Sequence, residues 1–233
     1  MKFSSLPLFI FISILLFKKF NSSFAQTSNT CLKFECNDDW ATRTDSDGKV
    51  YGYKAFVQES INFYEANALC RDQCAEVVSI HSAEENEFVR TVAKPLLDDC
   101  QNEIICKSRP NETSEDFNRI LHSFFIGMHR VQHSRLERCT RDENAYCIWS
   151  DMTECDFGNY TGVIGPHETS PPWATGNPNG IVYPLYAIED CVEFYDSTNG
   201  YWNDIPCNFR LSGVICKRDC ASYCVDQDTQ LMF

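Results

Sequence analysis

The chain has 233 residues, of which 43% are hydrophobic and 13% aromatic, enough for one main buried core with flanking segments left over. Its formal net charge is −13, and such an acidic surface argues against binding to the phosphate backbone of nucleic acids. Removing residues 1–25, which hold three lysines and no acid, would take this charge to −16. We therefore expect one main domain and no nucleic-acid partner.

The first residues have the pattern of a secretory signal. An apolar run from Leu6 to Phe17 follows Lys2, and Ser23-Phe24-Ala25 has small residues at the spacing of a cleavage site. The run is shorter than the about 20 residues that span a bilayer. We expect residues 1–25 to be a signal peptide and the mature chain to be secreted, extracellular and without a membrane span. Two lysines after the run leave a short signal anchor as the alternative.

The cysteine content supports an oxidising compartment. All 14 cysteines follow residue 25, and an even number suits disulfides. Zinc is the competing explanation, but the closely spaced cysteine pairs lack a matching second pair of Cys or His. His129 and His133 have helical metal-ligand spacing yet follow a strand-like run. We therefore expect disulfides and no zinc site.

An amphipathic helix is predicted over Ser60 to Gln73. Its apolar face carries Phe63, Ala66 and Cys70, and Ser60 is the expected N-cap. The next segment, Ala75 to Ile80, is short and β-branched, which is typical of a buried strand.

A second helix is predicted to begin at Ser82. Ser82 and Glu85 form a capping box, and Pro95 marks where the helix should stop or bend. A polar stretch near 96–118 follows and carries the N-glycosylation sequon at Asn111. It has the character of a surface insertion.

Short apolar segments predict strands in the second half of the chain. They are Phe124 to Met128, Tyr146 to Trp149, Cys191 to Tyr195 and Ser212 to Lys217. Helices are thus expected before strands, in an α+β domain with much loop. A second insertion is predicted near 152–172, with a sequon at Asn159.

Side-chain oxygens cluster along the last third of the chain. The order is Asn177-Pro178-Asn179, then Glu189-Asp190-Cys191, then Trp202-Asn203-Asp204 and Cys207. Such oxygens suit a hard divalent cation, and only a folded loop region could bring these segments together. Taken singly, each residue also has an ordinary role: Asn203 as a backbone cap, for example, or Asp190 as a solvated charge or an auxiliary-calcium ligand. Together they indicate a calcium site closed by a disulfide.

The chain resembles a C-type lectin domain from about Cys36 to Lys217. The opening carries Phe63, Ala66 and Cys70, then Val78-Ser79-Ile80-His81-Ser82 with Glu84-Glu85-Asn86. Phe125-Ile126-Gly127-Met128 is similar to the core segment Trp-Ile-Gly-Leu of the family, and Trp149-Ser150-Asp151 to its next landmark. The resemblance implies a C-type lectin domain at 36–218 with the two insertions. We expect the rest of the chain to comprise the signal peptide at 1–25, an N-terminal segment at 26–35 and a cysteine-containing tail at 219–233.

By this resemblance, Cys70 should pair with Cys216, and Cys191 with Cys207 beside the binding loops. Closing a loop of more than 100 residues stabilises by about 4 kcal/mol or more in the entropic description. The spacing of the other cysteines suggests local bridges, Cys100 with Cys106 and Cys139 with Cys147. The cysteines at 31, 36, 220 and 224 are expected to join the two ends of the domain.

The resemblance also implies a calcium-dependent sugar site and no enzyme activity. The calcium ligands would be Asn177, Asn179, Glu189, Asn203 and Asp204, and the peptide bond before Pro178 would be cis. Asn177, Asn179, Glu189 and Asn203 would also bind the sugar. Two sugar hydroxyls would then complete the coordination shell of Ca²⁺. The predicted partners are glycans on cell or microbial surfaces, and useful avidity would require several copies.

Sugar choice is left open by one departure from the family pattern. Mannose-type members usually have glutamate where this chain has Asn177, while Asn179 fits the mannose type. The resemblance therefore favours a mannose or fucose ligand through Asn179 and not through Asn177. Tyr183 and Tyr186 would pack on a sugar face or fill their own loop. The alternative function is a C-type lectin-like module with a degenerate calcium site and a protein ligand. A secreted hydrolase is disfavoured because no Gly-x-Ser-x-Gly elbow and no evident catalytic pair occurs.

Overall fold

A computed structural model describes residues 31–32, 36, 39–46, 48–106, 120–131, 146–158, 172–180, 182–183, 187–220 and 223–224. These residues fall within the unit Cys31–Val225. The predicted signal peptide and both sequons, at Asn111 and Asn159, lie outside them. In the described segments, no helix combines the length and apolar character needed to cross a membrane.

The described residues form two helices and eleven strands. In chain order they are β1 (Cys31–Leu32), β2 (Ala41–Thr44), β3 (Val50–Ile61), α1 (Phe63–Asp72), β4 (Glu76–Val77), α2 (Ala83–Gln101), β5 (Ile120–Val131), β6 (Tyr146–Trp149), β7 (Val182–Tyr183), β8 (Ala187–Phe194), β9 (Trp202–Pro206), β10 (Arg210–Asp219) and β11 (Tyr223–Cys224). Three strands therefore precede the helices, so the expected order of helices first and strands later is wrong.

One sheet holds nine of the strands. Its main path is β2-β3-β10-β5-β8-β7, with β4 on β10, β6 on β5 and β9 on β8. The pairing of β10 with β5 is parallel, and the other pairings in the sheet are antiparallel. β1 and β11 form a separate two-stranded ladder that joins the two ends of the domain.

The core lies on both faces of this sheet because side chains alternate along a strand. On β5, Phe124 and Ile126 belong to the cluster that α2 covers, whereas Phe125 belongs to the cluster that α1 covers. On β10, Ile215 and Val214 divide in the same way. Both faces of the central strands are therefore apolar, which explains their continuous hydrophobic runs.

α1 begins at a different residue from the one predicted. The N-cap is Asn62, whose Oδ1 accepts from the Glu65 backbone N–H at 3.0 Å, while the Glu65 carboxylate accepts from the Asn62 N–H at 3.0 Å. Ser60 belongs to β3 with φ of 66°. The prediction of Ser60 as the cap is wrong because Asn62 and Glu65 form the capping box.

α2 begins where it was predicted and ends later. The Ser82 hydroxyl accepts from the Glu85 N–H at 3.1 Å, as in a capping box. The Glu85 carboxylate, however, accepts from the His81 N–H at 2.7 Å and from Lys217 Nζ at 2.7 Å. The helix continues through Pro95 to Gln101, so its end occupies the first residues of the insertion predicted near 96–118.

Five disulfides join described cysteines. Cys70 is bonded to Cys216, Cys191 to Cys207, Cys100 to Cys106, Cys36 to Cys220 and Cys147 to Cys155. The expected bridge between Cys139 and Cys147 is wrong, because Cys147 is bonded to Cys155. The β-bridge between Ile148 and Glu154 explains this choice, since it folds the chain back on itself next to these cysteines.

Candidate functional site

Three of the five predicted calcium ligands lie on the paired strands β8 and β9. They are Glu189 on β8 and Asn203 and Asp204 on β9. Their antiparallel register sets Glu189 opposite Pro206, Asp204 opposite Val192 and Asn203 opposite Glu193. The disulfide Cys191–Cys207, with Cα atoms 5.0 Å apart, closes the pair. Glu189 is buried, with 3% of its surface exposed. The relative position of these ligands is thus set by β-sheet pairing.

The other two predicted ligands lie on the loop before β7, which is tied to the beginning of β9. The Trp202 N–H donates to the Pro172 carbonyl at 2.8 Å, and the Ala174 N–H donates to the Trp202 carbonyl at 3.0 Å. The bond between Asn177 and Pro178 is cis. The loop is therefore held next to the Trp202-Asn203-Asp204 segment by the β-bridge between Trp173 and Trp202.

The Asp204 carboxylate holds the far end of this loop. It accepts from the Asn179 N–H at 3.0 and 3.1 Å and from the Gly180 N–H at 2.6 Å. Asn179 Nδ2 in turn donates to Asn177 Oδ1 at 2.7 Å. Asn177, Asn179 and Asp204 are therefore joined in one hydrogen-bonded group, and Asn203 is next to Asp204 on β9.

Two tryptophans, Trp173 and Trp202, pack together next to the loop that carries Asn177 and Asn179. The Trp173 and Trp202 rings meet edge to face, with centroids 5.6 Å apart. Trp202 Nε1 donates to Asn86 Oδ1 of α2 at 2.9 Å, and Trp173 Nε1 donates to the Gly158 carbonyl at 2.6 Å. These two indole N–H groups link the loop region to α2 and to the segment after β6. A buried tryptophan usually finds such a hydrogen-bond partner.

Glu193 is a site residue that sequence reasoning missed. The residue is 5% exposed, and its carboxylate accepts from Asn203 Nδ2 at 2.7 Å and from the Ser123 hydroxyl. Burial raises the pKa of this carboxyl, and nearby Asp204 adds to the effect, although the two hydrogen bonds oppose it. The available signal was an acid on the apolar strand Cys191 to Tyr195, where a charge is costly.

Arg130 is the second residue that was missed. Its Nε donates to Asp190 Oδ1 at 2.9 Å, and its side chain is only 3% exposed. Asp190 therefore forms an ion pair with β5, a role different from the solvated charge and the auxiliary ligand considered for it. A guanidinium is suited to such a buried pair because it stays charged and presents several donors.

The chemistry of the five predicted ligands fits calcium. They supply two carboxylates and three amide oxygens, which are the hard donors that Ca²⁺ takes. Hydrogen bonds link three of these residues. Asn203 precedes Asp204 on β9, and Glu189 lies on β8, the strand paired with β9.

A different group of side chains, Cys100, Cys106 and His122, lies within 4.8 Å but is unsuited to a metal. Cys100 and Cys106 are bonded to each other, and metal ligation requires free thiolates. His129 is half-buried and packs against the Phe63 ring, while His133 lies outside the described residues.

Comparison with known proteins decides the family. The sequence profile described as "Lectin C-type domain" matches residues 59–218, which is more than half of the chain. The chain belongs to the C-type lectin domain family. The predicted α+β class and C-type lectin fold are therefore confirmed. Among curated proteins, none matches the chain.

Three solved structures match the chain at identities between 18% and 22%. The carbohydrate-recognition domain of the mouse scavenger receptor C-type lectin has 19% identity and a TM-score of 0.46, covering 79% of this chain and 98% of its own. Human lithostathine has 18% identity and a TM-score of 0.46, covering 79% and 99%. The cow CD23 domain, solved in the presence of a GlcNAc2Man3 oligosaccharide, has 22% identity and a TM-score of 0.44, covering 79% and 95%.

The residues that carry the resemblance occupy the centre of the C-type lectin domain. The Gly127 N–H donates to the Val78 carbonyl at 2.8 Å, and the Gly127 carbonyl accepts from the Ser150 N–H at 2.9 Å. A Cβ on Gly127 would lie 2.5 Å from the Val77 carbonyl oxygen. Glycine is required here because three backbone segments meet at this point.

Proposed function

We propose that the chain is a secreted, calcium-dependent carbohydrate-binding protein that recognises glycans on cell or microbial surfaces. The observation that supports it most is the hydrogen-bonded group of Asn177, Asn179 and Asp204, which gathers oxygens from two separate segments. Glu189 and Asn203 complete the proposed ligand set. The proposed role is binding, without a chemical step.

A bound calcium would supply open coordination positions for two neighbouring sugar hydroxyls, since it takes 6 to 8 oxygens and the chain offers five ligating side chains. The chain's own groups would then orient the sugar. The amides of Asn177, Asn179 and Asn203 each offer a donor and an acceptor, and the Glu189 carboxylate is an acceptor. Asn179 fits a mannose or fucose preference, which we propose as the ligand class.

Calcium affinity is expected to be modest. Glu189 and Asp204 are the two formal carboxylates, because Asn177 contributes an amide. Extracellular calcium modules work with dissociation constants of roughly 10⁻⁴ to 10⁻³ M, which suits a secreted protein. The five described disulfides favour the same compartment, and we propose glycosylation at Asn111 and Asn159.

The second candidate is a C-type lectin-like module that binds a protein ligand. It is favoured by one observation: Asn177 and Asn179 already bond to each other, and Asp204 already binds backbone N–H groups. A site whose groups satisfy one another needs no ion to hold its shape.

Two measurements on the secreted full chain test the proposal. Isothermal titration with CaCl2 should show binding that is lost in Asp204→Asn and kept in Asp72→Asn, a matched change at an exposed carboxylate. A glycan array should then show mannose or fucose ligands that are released by EDTA. Sugar binding that survives EDTA would overturn the calcium mechanism, and absence of both calcium and glycan binding would support the protein-ligand candidate.

A further inference from the structure

The buried carboxylate of Glu193 lies behind one of the proposed calcium ligands. Glu193 on β8 is paired in register with Asn203 on β9, and its Oε1 accepts from Asn203 Nδ2 at 2.7 Å. Its Oε2 accepts from the Ser123 hydroxyl of β5. Both oxygens are thus bonded within the sheet, and the side chain has no freedom to turn without losing one of these bonds.

This contact determines which end of the Asn203 amide faces Glu193. An ionised carboxylate only accepts hydrogen bonds, whereas an amide has a donor end and an acceptor end. Rotation of the amide by half a turn would place Oδ1 against the carboxylate and replace a charge-assisted bond by repulsion. Asn203 Nδ2 therefore stays on Glu193, and Oδ1 is held on the opposite side.

We propose that Glu193 is a positioning residue that fixes the Asn203 amide so that its oxygen is available to calcium. The inference rests on the proposed function and adds a residue outside the predicted ligand set. A burial of 95% is costly for a carboxylate, and a leucine at this position would avoid that cost in a strand whose neighbours are Val192 and Phe194. The cost is offset if the carboxylate holds a ligand in place.

The amide orientation also separates Glu193 from a merely structural residue. Glutamine at 193 keeps the size of the side chain but can present either its oxygen or its nitrogen to Asn203. It would therefore allow both amide orientations, while alanine would remove the constraint altogether. A residue that served only packing would tolerate glutamine without any effect on Asn203.

The test compares Glu193→Gln and Glu193→Ala with Glu154→Gln, an exposed control. Calcium affinity from titration calorimetry should fall about tenfold or more in Glu193→Ala, and less in Glu193→Gln, as is typical when a group supporting a metal ligand is lost. The control should bind as the unmodified chain does. Equal affinity in all variants would overturn the inference.

A second measurement does not require calcium. In the calcium-free chain, NMR should show the Asn203 side-chain NH₂ protons as separate signals with slow hydrogen exchange, and Glu193→Gln should speed that exchange. Unchanged Asn203 signals in Glu193→Gln would contradict the inference even if Glu193→Ala fails to fold. If the unmodified chain binds no calcium while its Asn203 amide is held, the proposed function fails and the positioning by Glu193 stands as a feature of the sheet alone.

Discussion

Asn177 is the proposed calcium ligand at which the chain departs from the mannose-type pattern, and it is expected to influence calcium affinity. Its Oδ1 accepts from Asn179 Nδ2, and a carboxylate at 177 could accept the same bond. A glutamate would add one negative charge and one methylene. Because the charge of the ligand set tunes the affinity of calcium sites, the amide at 177 is expected to weaken this one.

Asn177→Glu should therefore tighten calcium binding by about three- to tenfold, measured by calorimetry with CaCl2. Asn177→Gln is the matched control, since it adds the methylene without the charge, and it should change affinity less. If glutamine tightens binding as much as glutamate does, then side-chain length and not charge limits the site.

The pKa of His129 is expected to make folding stability depend on pH. Burial lowers its pKa, although the Gly127 carbonyl and Asp190 oppose the shift. Below about pH 6.5, the ordinary value, the unfolded chain binds a proton that the folded chain resists. The free energy of unfolding should therefore fall as the pH falls from about 6.5, the pKa in the unfolded chain, toward the lower pKa of His129 in the folded chain.

Urea unfolding between pH 5 and 7.5 measures this dependence. His129→Gln should flatten the slope, because the substituted side chain does not titrate, even if the variant is less stable at every pH. A slope identical to that of the unmodified chain would assign the pH dependence to other groups.

At the scale of elements, the start of α1 shows how local chemistry chooses a boundary. Both Ser60 and Asn62 are residues that cap helices, but only Asn62 has glutamate three positions later, as a capping box requires. Ser60 instead lies one residue before the end of the long strand β3, with a left-handed φ of 66°. That conformation is costly for residues with a Cβ.

Asn62→Ala should lower the free energy of unfolding by about 1 kcal/mol, because it removes the cap of α1. Ser60→Ala should cost little, and Ser60→Gly should be neutral or stabilising since glycine accepts a positive φ. Urea unfolding of the three variants gives the comparison. A larger loss for Ser60→Ala than for Asn62→Ala would reverse the assignment of the cap.

Sequence reasoning missed β3 and β9 for the same reason. β3 contains Lys54 and Glu59 among its apolar residues, and β9 begins with Trp202 and two polar residues, so neither has a clean strand pattern. Both are strands because a long neighbour pairs with them, β10 with β3 and β8 with β9. Such pairing depends on segments far away in the chain and is not visible locally.

For the whole molecule, disulfides of very different span should contribute unequally to stability. Cys70 and Cys216 are 146 residues apart, whereas Cys191 and Cys207 are 16 apart. In the entropic description, replacing both cysteines by alanine should cost about 5 kcal/mol for the first pair and about 3 kcal/mol for the second. Equilibrium unfolding in urea measures both losses.

The two disulfides should also differ in their effect on the site. The bridge Cys191–Cys207 closes β8 against β9 beside Glu189, so its loss should weaken calcium binding, while the loss of Cys70–Cys216 should affect stability more than affinity. Equal weakening of calcium binding by both pairs of substitutions would show that the site senses global stability and not local closure.

The sequence alone determined the family, the two helices of the described residues, the buried face of α1, the central apolar strands and the candidate oxygens near Asn177 and Asp204. These features follow from short-range patterns: helical periodicity, β-branched runs and the spacing of a few motifs. The tertiary structure decided which groups hold those oxygens. Glu193 on β8 contacts Asn203 on β9, 10 residues later in the chain, and Arg130 on β5 contacts Asp190 on β8, 60 residues later. Only the pairing of these strands brings each charged side chain to its partner.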